Sequence, residues 1–200
     1  LTGAGAVFNT AKVRAGEAVA VIGAGGIGLN AINAARIAGA AIIIAVDLAD
    51  EKLDLARSFG ATHTINGGTE DAVRAVIELT AGGVDHAFEM IGLAPASLQA
   101  IRMTRVAGDA YLVGLHKPGA ELALDAMTDI IQPQRTLHGI YMGSSNPERD
   151  IPRYVEHYLA GRLELDGLVA RELHIDQINE GFATMKNGGA VARSVITSFS

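Results

Sequence analysis

Short apolar-rich runs alternate with amphipathic stretches along most of the chain. Ala18–Ile22, Ile42–Val46, Val84–Phe88 and Ala110–Val113 are strand-length runs of this kind. Such segments read as strands buried in a parallel sheet. Thr62–Ile65 and Thr136–Tyr141 extend the series with weaker patterns. The stretches between them carry helix start and stop signals. One helix is expected from Asp50, as N-cap, to Phe59, with Gly60 as the stop. A second starts at Thr69 and sets Val73, Val76 and Ile77 on one face. A third has Pro95 in its first turn and points Leu98 and Ile101 inward. Strands alternating with helices in this way predict an α/β fold with a doubly wound, six-stranded parallel sheet.

The rhythm breaks near Gly143. Ser144-Ser145-Asn146-Pro147 is a turn-rich interruption. Beyond it the pattern predicts a helix over Pro152–Ala160, stopped by Gly161, and a short strand near Leu168–Leu173. A helix over Asp176–Lys186 and a final strand over Ala192–Thr197 follow. So short a tail has little core of its own and is expected to pack on something else. The expected division is a sheet domain over 1–143 and a separate segment over 144–200. Neither an internal repeat nor a low-complexity stretch is visible.

Composition narrows the classes. The chain has 200 residues, 49% hydrophobic but only 4% aromatic, with no Trp. Its core must rest on Ala, Val, Ile and Leu, and its 24 glycines call for many tight turns. A net charge of −6 without a basic cluster argues against nucleic acid and anionic membrane surfaces as partners. Cysteine is absent, which excludes a disulfide framework, a thiolate metal site and a Cys nucleophile within these residues. The longest apolar run, Ala38–Val46, is too short to cross a bilayer. No signal-peptide pattern is present, so a cytoplasmic location is expected. The start, Leu1-Thr2-Gly3, has no initiator Met, and the chain is expected to begin part-way through a larger protein.

The strongest chemical signal is Gly23-Ala24-Gly25-Gly26-Ile27-Gly28. It leaves an apolar strand and opens an amphipathic helix carrying Ile32, Ala35 and Ile37. Gly23 permits the tight turn, Gly25 lets the backbone approach a diphosphate, and Gly28 lets the helix pack close to the sheet. The free amides and the helix dipole then favour an anion. This context predicts a Rossmann dinucleotide site and the strand order 3-2-1-4-5-6. Asp47 ends the next strand, about 20 residues further on, where a carboxylate accepts the adenosine ribose hydroxyls. It would repel a 2′-phosphate, and Leu48 and Ala49 follow it rather than a basic residue. The expected cofactor is therefore NAD and not NADP. Lys52, in the next helix's first turn, either reaches that ribose or sits on a solvated face.

Ligands of such sheets sit at the carboxyl ends of the strands. Met90-Ile91-Gly92 and Val113-Gly114-Leu115 occupy two such ends and either flank the nicotinamide ring or form plain turns. Glu89 is a candidate acid or base, but with no partner in the pattern it reads as a hydrogen-bonded strand-end carboxylate. The histidines at 63, 86, 116, 138, 157 and 174 show no metal-ligand spacing, so no metal site is expected from these residues alone. Tyr154 and Tyr158 lack the Lys of a proton-transfer pair and are expected to pack on one helix face.

The whole chain resembles the medium-chain, zinc-dependent alcohol dehydrogenases. The resemblance is carried by Thr2-Gly3-Ala4-Gly5-Ala6-Val7, the Gly23–Gly28 motif with Asp47 and Lys52, and Phe88-Glu89-Met90-Ile91-Gly92. Gln177-Ile178-Asn179-Glu180-Gly181-Phe182, with Arg193 in the last strand, adds a C-terminal signature. The resemblance implies that Thr2, Ile27, Ile91 and Val113 line a nicotinamide pocket, beside the strand-end candidate Gly114. It also implies that Arg193 clamps the pyrophosphate, where the bland alternative is an exposed strand residue. Gly23 separates the chain from zinc-free quinone and enoyl reductases, which usually carry Ala there. The family holds its catalytic zinc, which polarises the alcohol, on Cys and His ligands that are absent here. The tail from Gly143 would be the returning part of that otherwise missing catalytic domain.

The expected function is thus the NAD-binding part of an alcohol dehydrogenase, inactive by itself. The substrate would be a small primary or secondary alcohol or its aldehyde. A homo-dimer or homo-tetramer is implied, with Thr136–Tyr141 as an edge for pairing two sheets. Two rivals stand beside it. One is a non-catalytic NAD-sensing module, which an upstream reading frame without Cys and His ligands would favour. The other is a zinc-free reductase using NADPH, against which Asp47 and Gly23 both speak.

Overall fold

The computed structural model describes residues 1–186 and 192–199. The first helix, α1 (Thr2–Gly5), runs on into a wider helical turn over Ala6–Ala11. The strand–helix alternation follows as β1 (Ala18–Ile22), α2 (Gly26–Ala38), β2 (Ile42–Asp47), α3 (Asp50–Ser58), β3 (His63–Asn66), α4 (Ala72–Thr80), β4 (Val84–Glu89), α5 (Ala94–Met103), β5 (Thr104–Leu112) and β6 (Thr136–Gly139). All six strands are parallel and lie in the order β3-β2-β1-β4-β5-β6, as the motif predicted.

Alternation along each strand divides the core between two faces. Val19 and Val21 pack with Leu29 and Ile32 of α2, Leu53 of α3, Phe59 and Phe88. Ala20 and Ile22 pack on the other side with Ile44, Val46, Val76 of α4, and Ala100 and Met103 of α5. Helices α1 to α3 therefore cover one face and α4 and α5 the other. This is why β1, and β2 up to Val46, are apolar at every position and not at alternate ones.

The structure moves several boundaries. β5 starts at Thr104, well ahead of the apolar run at Ala110. Val84 pairs with Thr104 but His86 with Asp109, so the Arg105–Gly108 stretch bulges from the ladder, with Ala107 at φ 56°. Ala49, not Asp50, occupies the cap of α3, and the Asp50 carboxylate accepts instead from Asn66 Nδ2 at 2.6 Å. The cap of α4 is Asp71 rather than Thr69, and its side chain accepts from the Arg74 amide at 3.1 Å. On that helix Val76 is buried and Val73 half-buried, while Ile77 is exposed; on α5 Ile101 is buried and Leu98 half-buried.

The turn-rich break after Gly143 is itself a helix start. α6 (Pro147–Leu159) begins with Asn146 as cap and Pro147 in the first turn, and Pro152 falls inside it. Proline is at home in the first turn, where its missing N–H is not needed. The tail continues with β7 (Val169–His174), α7 (Ile178–Lys186) and β8 (Arg193–Ser198), and β7 and β8 form a separate parallel pair. One side of the tail is seated on the sheet domain: the Glu164 amide donates to Asn33 Oδ1 at 3.2 Å, and Arg36 donates to the Arg162 carbonyl at 2.6 Å. Elsewhere it exposes Phe182 (63%) and Phe199 (71%). Among the described residues no helix is long and apolar enough to cross a membrane.

One buried carboxylate ties α6 to the chain's start. Asp150 is fully enclosed and accepts from Arg149 Nε at 2.7 Å, Asn9 Nδ2 at 3.1 Å and the Asn146 amide at 2.9 Å. The Arg149 guanidinium, helped by those other donors and opposed by burial, lowers its pKa from 3.8 to about 2. A depressed folded-state pKa contributes stability that is complete above 3.8 and is lost as pH falls from 3.8 toward 2. Asp150→Asn should therefore lower Tm by several degrees at neutral pH, with the gap to the parent chain closing near pH 2. Thermal melts of both chains across that window check this; a constant gap would contradict it.

Candidate dinucleotide site

The site begins where β1 ends. Gly23 turns the chain at φ +97°, and α2 starts two residues after Ala24. The first turn of α2 lies hard against this bend: a Cβ added at Gly28 would fall 1.8 Å from the Gly23 carbonyl oxygen. No side chain caps α2, and its first turn holds no acidic residue. The space beside this turn is open, since a Cβ at Gly25 would meet nothing within 4 Å. A helix end of this kind, with its dipole, suits an anion.

Asp47 closes the second side. Its Oδ2 accepts from the Ala24 amide at 2.8 Å, and its Oδ1 from the amides of Leu48 at 2.8 Å and Ala49 at 3.2 Å. The carboxylate thus pins the glycine turn to the end of β2. Arg193, at the start of β8, closes the third side. Its Nε lies 2.6 Å from where a Cβ on Gly26 would be. A side chain at Gly26 would collide with the guanidinium, so glycine there makes room for arginine.

Together these walls enclose a crevice of about 700 Å³ at the carboxyl edge of the sheet. Gly23, Gly25, Gly26, Ile27, Gly28, Asp47, Lys52, Ile91 and Arg193 all line it. Thr2, Val113 and Gly114 do not. The Thr2 carbonyl faces Gly143, Val113 is only 5% exposed, and Gly114 is packed on Gly92. Sequence reasoning missed Gly67, Leu93, Gln99 and Met185, which also line the crevice. Gly67 follows β3 directly and Leu93 lies in the turn between β4 and α5, so the strand-end rule was the available signal. Met185 reaches the crevice only through the fold of the tail.

Glu89 is a strand-end carboxylate, fully buried, and its Oε1 accepts from the amides of Ile91 and Gly92. Tyr154 packs on Phe8, whereas Tyr158 donates to Asp166 at 2.8 Å, so the two rings do different work. His86, at the opposite edge of the sheet, meets Tyr111 Oη at 3.1 Å and Glu17 at 3.0 Å. The donor set does not fit zinc: the chain has no cysteine, and among the described residues no three His, Asp or Glu side chains cluster.

Comparison with known proteins agrees with this geometry. The zinc-binding dehydrogenase family matches residues 26–159. The S-(hydroxymethyl)glutathione dehydrogenase of Paracoccus denitrificans is 37% identical over 98% of this chain and 53% of its own length. Benzyl alcohol dehydrogenase from Acinetobacter calcoaceticus superposes with a TM-score of 0.93 at 35% identity, over 99% of this chain and 54% of that one. An alcohol dehydrogenase zinc-binding domain protein from Burkholderia ambifaria does so with 0.90 at 41% identity, over 95% of this chain and 51% of that one. The chain spans about half the length of these relatives. It belongs to the zinc-binding dehydrogenase family and corresponds to the NAD-binding portion of the family's medium-chain alcohol dehydrogenases.

Proposed function

We propose that this chain holds NAD for an alcohol dehydrogenase whose zinc ligands lie outside these residues. One observation carries the reading: Arg193, from the last strand, lies over Gly26 at the open end of α2, in the same crevice as Asp47. A diphosphate placed there meets free amides and the helix dipole from one side and a bidentate guanidinium from the other. Asp47 accepts three amides and keeps one acceptor position, on Oδ2, for a ribose hydroxyl. Its charge disfavours a 2′-phosphate, which supports NAD over NADP. Lys52 lines the crevice beside it and donates to the same ribose.

NAD, when bound, supplies the hydride acceptor for oxidation of a small primary or secondary alcohol to its carbonyl product. Ile27 and Ile91 form the apolar wall against which the nicotinamide is held. Residues 1–143 form the cofactor domain in this reading. The segment over 144–200 belongs to a catalytic domain supplied by the rest of the protein, and its exposed Phe182 and Phe199 suit burial there. The location is cytoplasmic. The assembly is a homo-dimer or homo-tetramer paired through β6, an edge strand whose Leu137 is 37% exposed.

Fluorescence titration tests the cofactor. NADH should bind saturably and NADPH at least about tenfold more weakly, since one unfavourable charge contact is worth on the order of 1.4 kcal/mol. Asp47→Asn should shrink that gap, and Arg193→Ala should weaken both cofactors about tenfold, as loss of a charged hydrogen bond does. Equal binding of the two by the parent chain would remove NAD selectivity. Zinc-supplemented alcohol oxidation should stay at background with this chain alone; measurable turnover would overturn the division of labour. Leu137→Pro should halve the assembly's mass in light scattering without unfolding it, and an unchanged mass would exclude β6 as the pairing edge.

A further inference from the structure

β4 stops at Glu89, and the two amides beyond the next residue have no neighbouring strand to bond to. The Glu89 side chain turns back and takes both. Its Oε1 accepts from Ile91 at 2.6 Å and from Gly92 at 2.7 Å. Its backbone carbonyl accepts from Val113 at 3.0 Å and Gly114 at 3.1 Å, at the exit of β5. One buried residue therefore holds two adjacent turns.

Those turns are locked to each other without side chains between them. A Cβ on Gly114 would fall 2.0 Å from the Gly92 nitrogen, and one on Gly92 would fall 2.3 Å from the Leu115 carbonyl oxygen. A shift in either turn is passed to the other, because close-packed backbone has no slack. The contact continues into the crevice: Ile91 Cγ1 lies 2.7 Å from where a Cβ on Gly23 would be. Glu89 thus sets the height of Ile91 over the glycine turn.

Stability alone would not choose this residue. Glu89 is 0% exposed, and among the described residues its Oε2 has no hydrogen-bond partner. An unsatisfied buried carboxyl oxygen is costly, and a local rule broken in this way is expected where function requires it. We infer that Glu89 is a positioning residue for the nicotinamide half of the cofactor, acting through the Ile91–Gly92 and Val113–Gly114 turns. The inference rests on the cofactor reading above. It assigns no proton transfer to Glu89; the group acts only through the backbone it holds.

The experiment separates the two halves of the cofactor. NADH and ADP-ribose are titrated into the parent chain, Glu89→Met and Glu89→Gln, with thermal melts alongside. Methionine keeps the side chain's length and suits a buried position but accepts no amide. Glutamine keeps an oxygen that can accept both. Glu89→Met should weaken NADH at least about tenfold more than ADP-ribose, the equivalent of one lost charged hydrogen bond, and Glu89→Gln should restore NADH to within about threefold. The bound NADH emission should shift in Glu89→Met and not in Glu89→Gln. Equal losses for both ligands, no loss for either, a Gln variant as weak as Met, or a Met variant that does not fold would overturn the inference while leaving the cofactor reading intact. A parent chain that binds neither ligand would overturn the cofactor reading itself, and this inference with it.

Discussion

The contact between the first turn of α2 and the end of β1 is the constraint on which the crevice depends. Only hydrogen fits between Gly28 and the Gly23 carbonyl. This brings the helix's unsatisfied amides to the sheet edge, beside the central strand, where the strand order reverses between β1 and β4. The contact also requires that the bend before it be held. Asp47 does this from β2 through the Ala24 amide, and Ile91 does it from β4 by packing on Gly23.

The two edges of the sheet treat their carboxylates differently. At the carboxyl edge, Asp47 and Glu89 are spent on backbone amides that the ending strands leave without partners. They shape turns, and the positive ends of α2 and Arg193 remain turned toward the crevice. At the amino edge, carboxylates meet side chains: Asp85 with Arg105 at 2.7 Å and Glu17 with His86 at 3.0 Å. Partial burial pushes the Asp85 pKa up, but the Ala18 amide and then Arg105 outweigh it and hold it below its ordinary value. The Asp85 charge is neutralised locally by Arg105, while the carboxyl edge presents an organised electropositive turn with one acidic wall.

Six strands and their order were legible because parallel strands buried on two faces must be apolar at nearly every position. The glycine motif and Asp47 were legible because both respond to backbone geometry that only those residues satisfy. β5 was read too short because its first half bulges, and a bulge interrupts the in-and-out alternation that marks a strand. Asn146-Pro147 was read as a break because cap and turn share the same residue types. Glu89 was singled out as a strand-end carboxylate, but its two amide partners follow from where β4 ends, which periodicity does not resolve to a residue.

By itself the sequence determined the α/β class, the strand order, the bend after β1 and the acid at the end of β2. These rest on interactions between residues close in the chain, or on patterns of burial that every strand repeats. Tertiary structure alone decided that Arg193 lies over Gly26, that Met185 reaches the crevice, and that the Gly92 and Gly114 backbones touch. It also left Thr2 and Val113 off the crevice wall. These depend on distances between segments far apart in sequence, set by how helices and turns pack, and no local pattern encodes such a distance.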